Sequence, residues 1–285
     1  MTPRIDRAYN GVGDLRRMQA AIGAAASTGL RIGDLAWLAR GQTHRHLALD
    51  IRLWESDEGQ LVGWTFVRAN GSFNIFVAPG HADAEFVDEM LDVVDDAARA
   101  AVAAGDHVGS LFTFGIDPTR SVEDRALAEG LERRGFVAAP GTGGFLRRDL
   151  AEIPDPVLPA GYRLAAVETP GQVRGRVETH RAVFDPSELT LGAYERVRRT
   201  WPYRAGLDRI VETDDGAVTA FCTAWIDAEH ARGYLEPVGT HPAHRGQGLA
   251  RAVCFSALAA LRSAGADMVE VAFTSDAALA LYRSL

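Results

Sequence analysis

Residues 238–250 read Val238-Gly239-Thr240-His241-Pro242-Ala243-His244-Arg245-Gly246-Gln247-Gly248-Leu249-Ala250, and a helical pattern follows at once. The stretch predicts a short apolar strand, a tight turn and a glycine-rich loop that opens a helix. Such a loop leaves backbone N–H groups without partners and aims them at one point. The helix dipole adds partial positive charge there, so the spot suits phosphate. Gly246 and Gly248 carry no Cβ, which lets a ligand touch the backbone. Arg245 adds a fork of donors matched to phosphate oxygens. A plain strand-to-helix turn competes with this reading, so the surrounding pattern has to decide.

Two common phosphate loops do not fit. The P-loop closes on Gly-Lys-Ser/Thr, and all 30 basic residues of this chain are arginine. In the dinucleotide fingerprint a third glycine is needed where this chain has Arg251. What remains is Arg-x-x-Gly-x-Ala at Arg245, Gly248 and Ala250. It resembles the acyl-CoA pyrophosphate loop of the GNAT superfamily of N-acetyltransferases, Gln/Arg-x-x-Gly-x-Gly/Ala.

Composition sets outer bounds. At 285 residues the chain is long enough for two domains. It is 47% hydrophobic and 24% charged, as ordinary globular proteins are. Net charge is −8 and pI about 5.5, which argues against general nucleic-acid binding and permits a cationic substrate such as an amine. The start, Met1-Thr2-Pro3-Arg4-Ile5-Asp6-Arg7, lacks the apolar core of a signal peptide, and no apolar run is long enough for a bilayer. Cys222 and Cys254 are the only cysteines, so neither a disulfide framework nor a cysteine zinc cluster is implied. No His/Cys set has zinc-ligand spacing, so no metal is expected. A cytoplasmic location is the default, without membrane or nucleic-acid partners, as monomer or homodimer. The absence of lysine rules out a lysine Schiff base.

Residues 151–160 hold three prolines and read as a linker between a domain over 1–150 and a domain over 161–285. In the second part, strands are expected at 162–167, 208–212, 217–226, 233–240 and 268–273. Helices are expected at 170–183, 190–201, 248–264 and 277–285, the last capped by Ser275 or Asp276. The first part runs alike, with helices at 13–27, 32–40, 84–104 and 122–134. Its strands are expected at 46–55, 61–69, 72–78, 107–115 and 144–148, with no clear opening strand before Gly13. The order β-α-α-β-β-β-α-β-α-β is that of the GNAT fold. The resemblance therefore implies an α+β chain of two tandem GNAT folds, each a mixed, mostly antiparallel sheet flanked by helices. The layout is similar to that of actinobacterial mycothiol synthases, although no residue selects that substrate. In the second part no strand follows the last helix, and the natural chain is expected to continue about one strand and turn beyond Leu285.

The resemblance assigns roles. Arg245, Gly246, Gln247, Gly248, Leu249 and Ala250 would hold the CoA pyrophosphate. Val238, Gly239 and Thr240 would meet the pantetheine arm, with the Val238 N–H polarising the thioester carbonyl. Ala278-Leu279-Ala280-Leu281-Tyr282 resembles the family's Asn-x-x-Ala-x-x-Leu-Tyr motif, whose tyrosine protonates the departing thiolate. Ser275 stands at the asparagine position, as a weaker cofactor contact. Glu236 is expected as base or amine binder, sharing a face with Val238 by the strand's period of two; a solvated carboxylate is the competing reading. Trp201 and Tyr203 lie where the acceptor pocket is shaped, though taken singly each is better explained by aromatic packing beneath a loop. The first part has Val77-Ala78-Pro79-Gly80-His81-Ala82-Asp83-Ala84-Glu85 at the loop position, where Asp83 and Glu85 would repel phosphate. Glu132 stands at its tyrosine position, so this domain is expected to be degenerate. The function implied is transfer of an acetyl group from acetyl-CoA, as co-substrate, to a primary amine of a small molecule in a ternary complex. The alternative is a non-catalytic module of the same fold that binds acyl-CoA or a partner.

Overall fold

The chain divides into two compact units, Met1–Arg31 with His44–Ala139, and Ile32–Thr43 with Pro140–Leu285. The computed structural model describes residues 4–25, 29–38, 51–68, 70–105, 110–138, 143–187 and 189–285. The ends of the first two expected helices, the start of the strand expected from His46, and residues 69 and 107–109 lie outside that set.

In the first unit an antiparallel sheet runs in the order β1 (Arg4–Ala8), β2 (Ile51–Ser56), β3 (Leu61–Val67), β4 (Phe73–Val77). Helix α1 (Val12–Ala24) follows β1, and α2 (Asp34–Leu38) follows α1 in the chain but belongs to the second unit. Helix α3 (Ala84–Ala103) sets Phe86, Val87, Met90, Leu91 and Val94 against Trp54, Val62 and Phe73, and α4 (Val122–Arg133) adds Leu127 and Leu131. The apolar residues of α3 recur every three to four positions, which makes the stripe that packs on a sheet. Strand β1 was absent from the sequence reading because Arg-Ile-Asp-Arg-Ala carries no alternating apolar face. It is held instead by its ladder with β2 and by ion pairs, Arg7 reaching Asp14 and Glu55 at 2.6 Å each. Of the strand expected at 107–115, the described part makes a single parallel bridge, Phe112 with Ser72.

The second unit has a six-stranded sheet. Its order is β5 (Gly144–Asp149), β10 (Met268–Phe273), β9 (Arg232–Thr240), β8 (Val218–Asp227), β7 (Asp208–Thr213), β6 (Tyr162–Ala166). All neighbours are antiparallel except β9 and β10. Helices α5 (Pro170–Val183) and α6 (Leu191–Arg198) lie on one face, α7 (Leu249–Ser263) on the other, and α8 (Asp276–Arg283) follows β10. Strand β8 shows why both faces are covered. Ala220, Cys222, Ala224 and Ile226 pack with Val253, Ala257 and Leu261 of α7. Phe221 packs with Val173, Val177 and Tyr194 on the opposite face, where Trp225 meets Val197. A strand buried on both sides reads as one apolar run.

Strand β5 corrects the sequence reading. The sequence reading puts it at the end of the domain 1–150, whereas it belongs to the second sheet. Here β5 pairs with β10 from Met268↔Asp149 to Phe273↔Gly144. An open, half-apolar edge is a liability, and β5 covers it. The proline-rich stretch after β5 is also part of the second unit, with Ile153 and Leu158 packed on its core.

Candidate active site

The site begins where two strands part. Strands β9 and β10 pair from Arg232↔Met268 to Leu235↔Val271. Past that point, among the described residues, β10 is paired with β5 and β9 with β8. The β8–β9 register runs Ala224↔Leu235 and then Cys222↔Val238, so Glu236 and Pro237 together face Thr223. This is a β-bulge on β9. Pro237, joined to Glu236 by a cis peptide bond, has no N–H for a ladder. Further along, the His241 N–H donates to the Thr219 carbonyl at 2.8 Å. Antiparallel alternation then turns the Gly239 N–H toward β8 and those of Val238 and Thr240 toward the opened side. The Thr240 hydroxyl is buried with no hydrogen-bond partner among the described residues.

The bulge also moves Glu236. A period of two would put its side chain with that of Val238, but the extra residue breaks the period. Leu235 and Val238 both pack on the core beneath α7. Tyr234 and Glu236 share the other face, where the Tyr234 hydroxyl donates to the Glu236 carboxylate at 2.7 Å. The Glu236 carbonyl accepts from two indoles, Trp225 at 2.6 Å and Trp37 of α2 at 3.4 Å.

The loop that follows makes one 3-10 turn, Pro242–His244, before Arg245, Gly246 and Gln247 come to the surface. Gly246 and Gly248 have φ of 78° and 79°, the left-handed region that glycine enters without strain. Gly248 is the N-cap of α7 and supplies no side-chain cap. Helices α3, α4, α5, α6 and α8 are all capped, by Asp83, Ser121, Thr169, Thr190 and Ser275. Helix α7 has no acidic residue in its first turn. Its leading N–H groups, including those of Leu249 and Ala250, are therefore available to an anion. The Arg245 guanidinium is tethered to the Thr240 carbonyl at 3.2 Å and exposed. Tyr162 of β6 anchors the loop, its hydroxyl lying 2.9 Å from His244 Nδ1 and 3.1 Å from Gln247 Oε1. No sequence motif marks Tyr162.

Tyr282 on α8 packs, half-buried, against the same core as Val238. Burial, with Cys254, Cys222 and Glu236 nearby, pushes its phenol well above the ordinary value. It therefore keeps its proton throughout the neutral range. Ser275 spends its hydroxyl on the Ala278 N–H at 3.2 Å as the cap of α8.

Trp201 is 48% exposed. Tyr203 donates to Asp208 at 3.1 Å and accepts from Arg198 at 3.2 Å. It thus joins a buried network behind the bulge. Asp208 accepts from Tyr194 and, at 2.8 Å, from the Thr223 hydroxyl. The wholly buried Arg176 donates to Thr223 at 3.1 Å and lies 3.6 Å from the Phe221 ring centroid. Burial raises the phenols of Tyr194 and Tyr203 above their usual value. Among the described residues, no helix is long and apolar enough to cross a membrane.

Three solved structures share the fold along the whole chain. A GCN5-related N-acetyltransferase from Sphaerobacter thermophilus superposes with a TM-score of 0.63 at 17% identity, covering 100% of this chain and 92% of that one. A tandem GNAT protein from the clavulanic acid biosynthesis pathway gives 0.58 at 16%, covering 100% and 94%. The Saccharomyces cerevisiae N-myristoyltransferase with bound myristoyl-CoA gives 0.58 at 13%, covering 99% and 75%. No curated protein matches the chain at a significant level. Residues 177–285, within the second unit of the chain, match the model of the Acetyltransferase (GNAT) family.

Proposed function

We propose that the second unit transfers an acetyl group from acetyl-CoA to a primary amine of a small molecule, by direct attack in a ternary complex. The observation that carries this reading is the uncapped N-terminus of α7, set beside the opened edge of β9 and the phenol of Tyr282. The loop N–H groups and Arg245 hold the diphosphate. Gly239, the Thr240 hydroxyl and the main-chain N–H groups of Val238 and Thr240 line the pantetheine arm. The Val238 N–H donates to the thioester oxygen, where negative charge develops.

The amine nitrogen attacks the carbonyl carbon and the C–S bond breaks. Glu236, directly or through water, takes the ammonium proton, and Tyr282 gives its proton to the CoA thiolate. Ser275 supports the cofactor end of α8, and Trp201 and Tyr203 border the acceptor side. The first unit is a degenerate copy of the same fold, making the chain a tandem pair.

The test is release of free thiol from acetyl-CoA across a panel of primary amines, alongside CoA titration. Turnover on at least one amine, lost in Tyr282→Phe with CoA affinity kept, is the expected result. CoA binding with no turnover on any amine assigns the fold to a non-catalytic acyl-CoA-binding module instead. No affinity for CoA removes both readings.

A further inference from the structure

The Glu236 carbonyl belongs to a residue that has left one ladder and bulges out of another. A half-buried carbonyl without a donor costs about 1–3 kcal/mol, and a neighbouring strand normally satisfies it. Here the next residue is a proline, and β10 has already turned away. Two indole N–H groups take the place of the ladder, and a carbonyl oxygen has two lone pairs to receive them.

The two indoles come from distant parts of the sequence. Trp225 is wholly buried on β8. Trp37 is on α2, in the segment Ile32–Thr43 that the chain sends into the second unit. It is stacked on His180 and Tyr194, with ring centroids 5.9 and 6.5 Å away. Ile32 and Ala36 of the same segment are buried against Trp225, Tyr234 and Val197. At Gly33 a Cβ would fall 2.4 Å from the Trp225 ring, so the segment closes on that indole.

We infer that Trp37 and Trp225 are positioning residues for acyl transfer: together they clamp the Glu236 carbonyl and hold open the β9 bulge, two residues before the Val238 N–H that receives the thioester. The inference rests on the function proposed above. Removing a donor frees the carbonyl to find another partner, and the bulge then drifts. The Val238 N–H loses its aim while the glycine loop, which grips the far end of CoA, is untouched.

Trp37→Phe keeps the ring stack and deletes one N–H. We expect kcat to fall about fivefold, the size of one lost hydrogen bond, with KM for acetyl-CoA and the CoA dissociation constant within about twofold. Trp225→Phe removes the shorter bond and has the larger effect on kcat. A Trp37→Phe variant with unchanged kcat overturns the proposal. So does one in which kcat, CoA affinity and thermal midpoint fall together, since that is plain loss of packing.

Should Trp225→Phe fail to fold, Trp37→Phe alone carries the test. Backbone hydrogen exchange over residues 235–240 decides the matter without turnover. It should quicken in Trp37→Phe while β7 stays unchanged, and equal exchange in both proteins refutes the clamp. An unmodified enzyme with no turnover on any amine counts against the proposed function, and the exchange result still judges the clamp.

Discussion

The loop between β4 and α3 and the loop between β9 and α7 occupy corresponding places: each ends a strand and opens the longest helix of its unit. They treat that helix start in opposite ways. In the first unit Asp83 caps α3 by accepting from the Phe86 N–H at 2.9 Å, Glu85 adds a second acid to the first turn, and Arg4 pairs with Asp83. The Gly80 N–H is taken by Glu123 at 3.1 Å. The second unit puts Gly248 at the cap, with no acid behind it and the exposed, left-handed Gly246 before it. The start of the long helix is thus taken by the chain's own carboxylates in one unit and left without a side-chain cap in the other. The difference lies in the capping residue more than in the fold.

The sharpest way to break that comparison is to write the first loop into the second. Aspartate enters the left-handed region more readily than most residues, so Gly248→Asp carries a backbone strain of about 1 kcal/mol. Its carboxylate puts a negative charge at the helix start, where a bound diphosphate would lie about 5 Å away. At an effective dielectric of about 20, that repulsion is about 3 kcal/mol, or roughly hundredfold in affinity. Calorimetric titration with CoA should show a loss of this order, with the thermal midpoint lowered only by the cost of the strained residue. Affinity equal to that of the unsubstituted protein would break the comparison at its root.

Next in size is Tyr282→Phe, for which kcat should drop about 10- to 100-fold while CoA affinity holds. The working form of Tyr282 is protonated, and burial raises its value, so its loss of the proton comes later than for a free phenol. The alkaline limb that Tyr282 imposes on kcat therefore lies above pH ~10. A limb near neutrality that disappears in Tyr282→Phe would contradict this placement.

Much of this was legible from residues 162–285. The strand at 268–273, the helix at 170–183 and the loop with its two glycines stand where periodicity and turn chemistry put them, because each is specified by neighbours in sequence. What failed was non-local. Strand β5 reads equally well as the end of one domain or the edge of another, and pairing with β10 is a fact about distant partners. Strand β1 has no apolar alternation to read. The bulge at Glu236–Pro237 overrode the period of two that placed Glu236 beside Val238; Pro237 was its one local signal. Trp37 carried no signal of its place, since nothing in Ile32–Leu38 names the second unit as its destination.

Arg245→Gln tests how much of the anion site is side chain and how much is main chain. Arg245 is exposed, and exposed ion pairs are screened, so the loss should be modest, about fivefold in CoA affinity at low salt. The gap between the two proteins should narrow as salt rises. A loss as deep as that of Gly248→Asp would mean that the guanidinium, and not the helix start, makes the site.

The smallest effect belongs to the closed loop and separates its two jobs. Asp83→Ala removes the cap of α3 and the partner of Arg4, and should cost about 1 kcal/mol in urea unfolding, with CoA affinity and turnover unchanged. Asp83→Asn keeps a capping oxygen and loses the charge, so it should recover most of that cost, because an ion pair this exposed contributes little. Acid gives an independent check. The Arg4 guanidinium holds the Asp83 carboxyl below the usual carboxylate value. A depressed folded value means that the contribution is fully present above the unfolded pKa of about 3.9 and is lost as pH falls through the folded value. The gap between the unsubstituted protein and Asp83→Ala should therefore narrow below pH ~4 by the small share that the charge contributes, the neutral carboxyl still capping α3. A gap that stays constant into acid would assign the cost to the shape of the loop and not to its carboxylate, and the contrast between the two helix starts would then rest on glycine geometry alone.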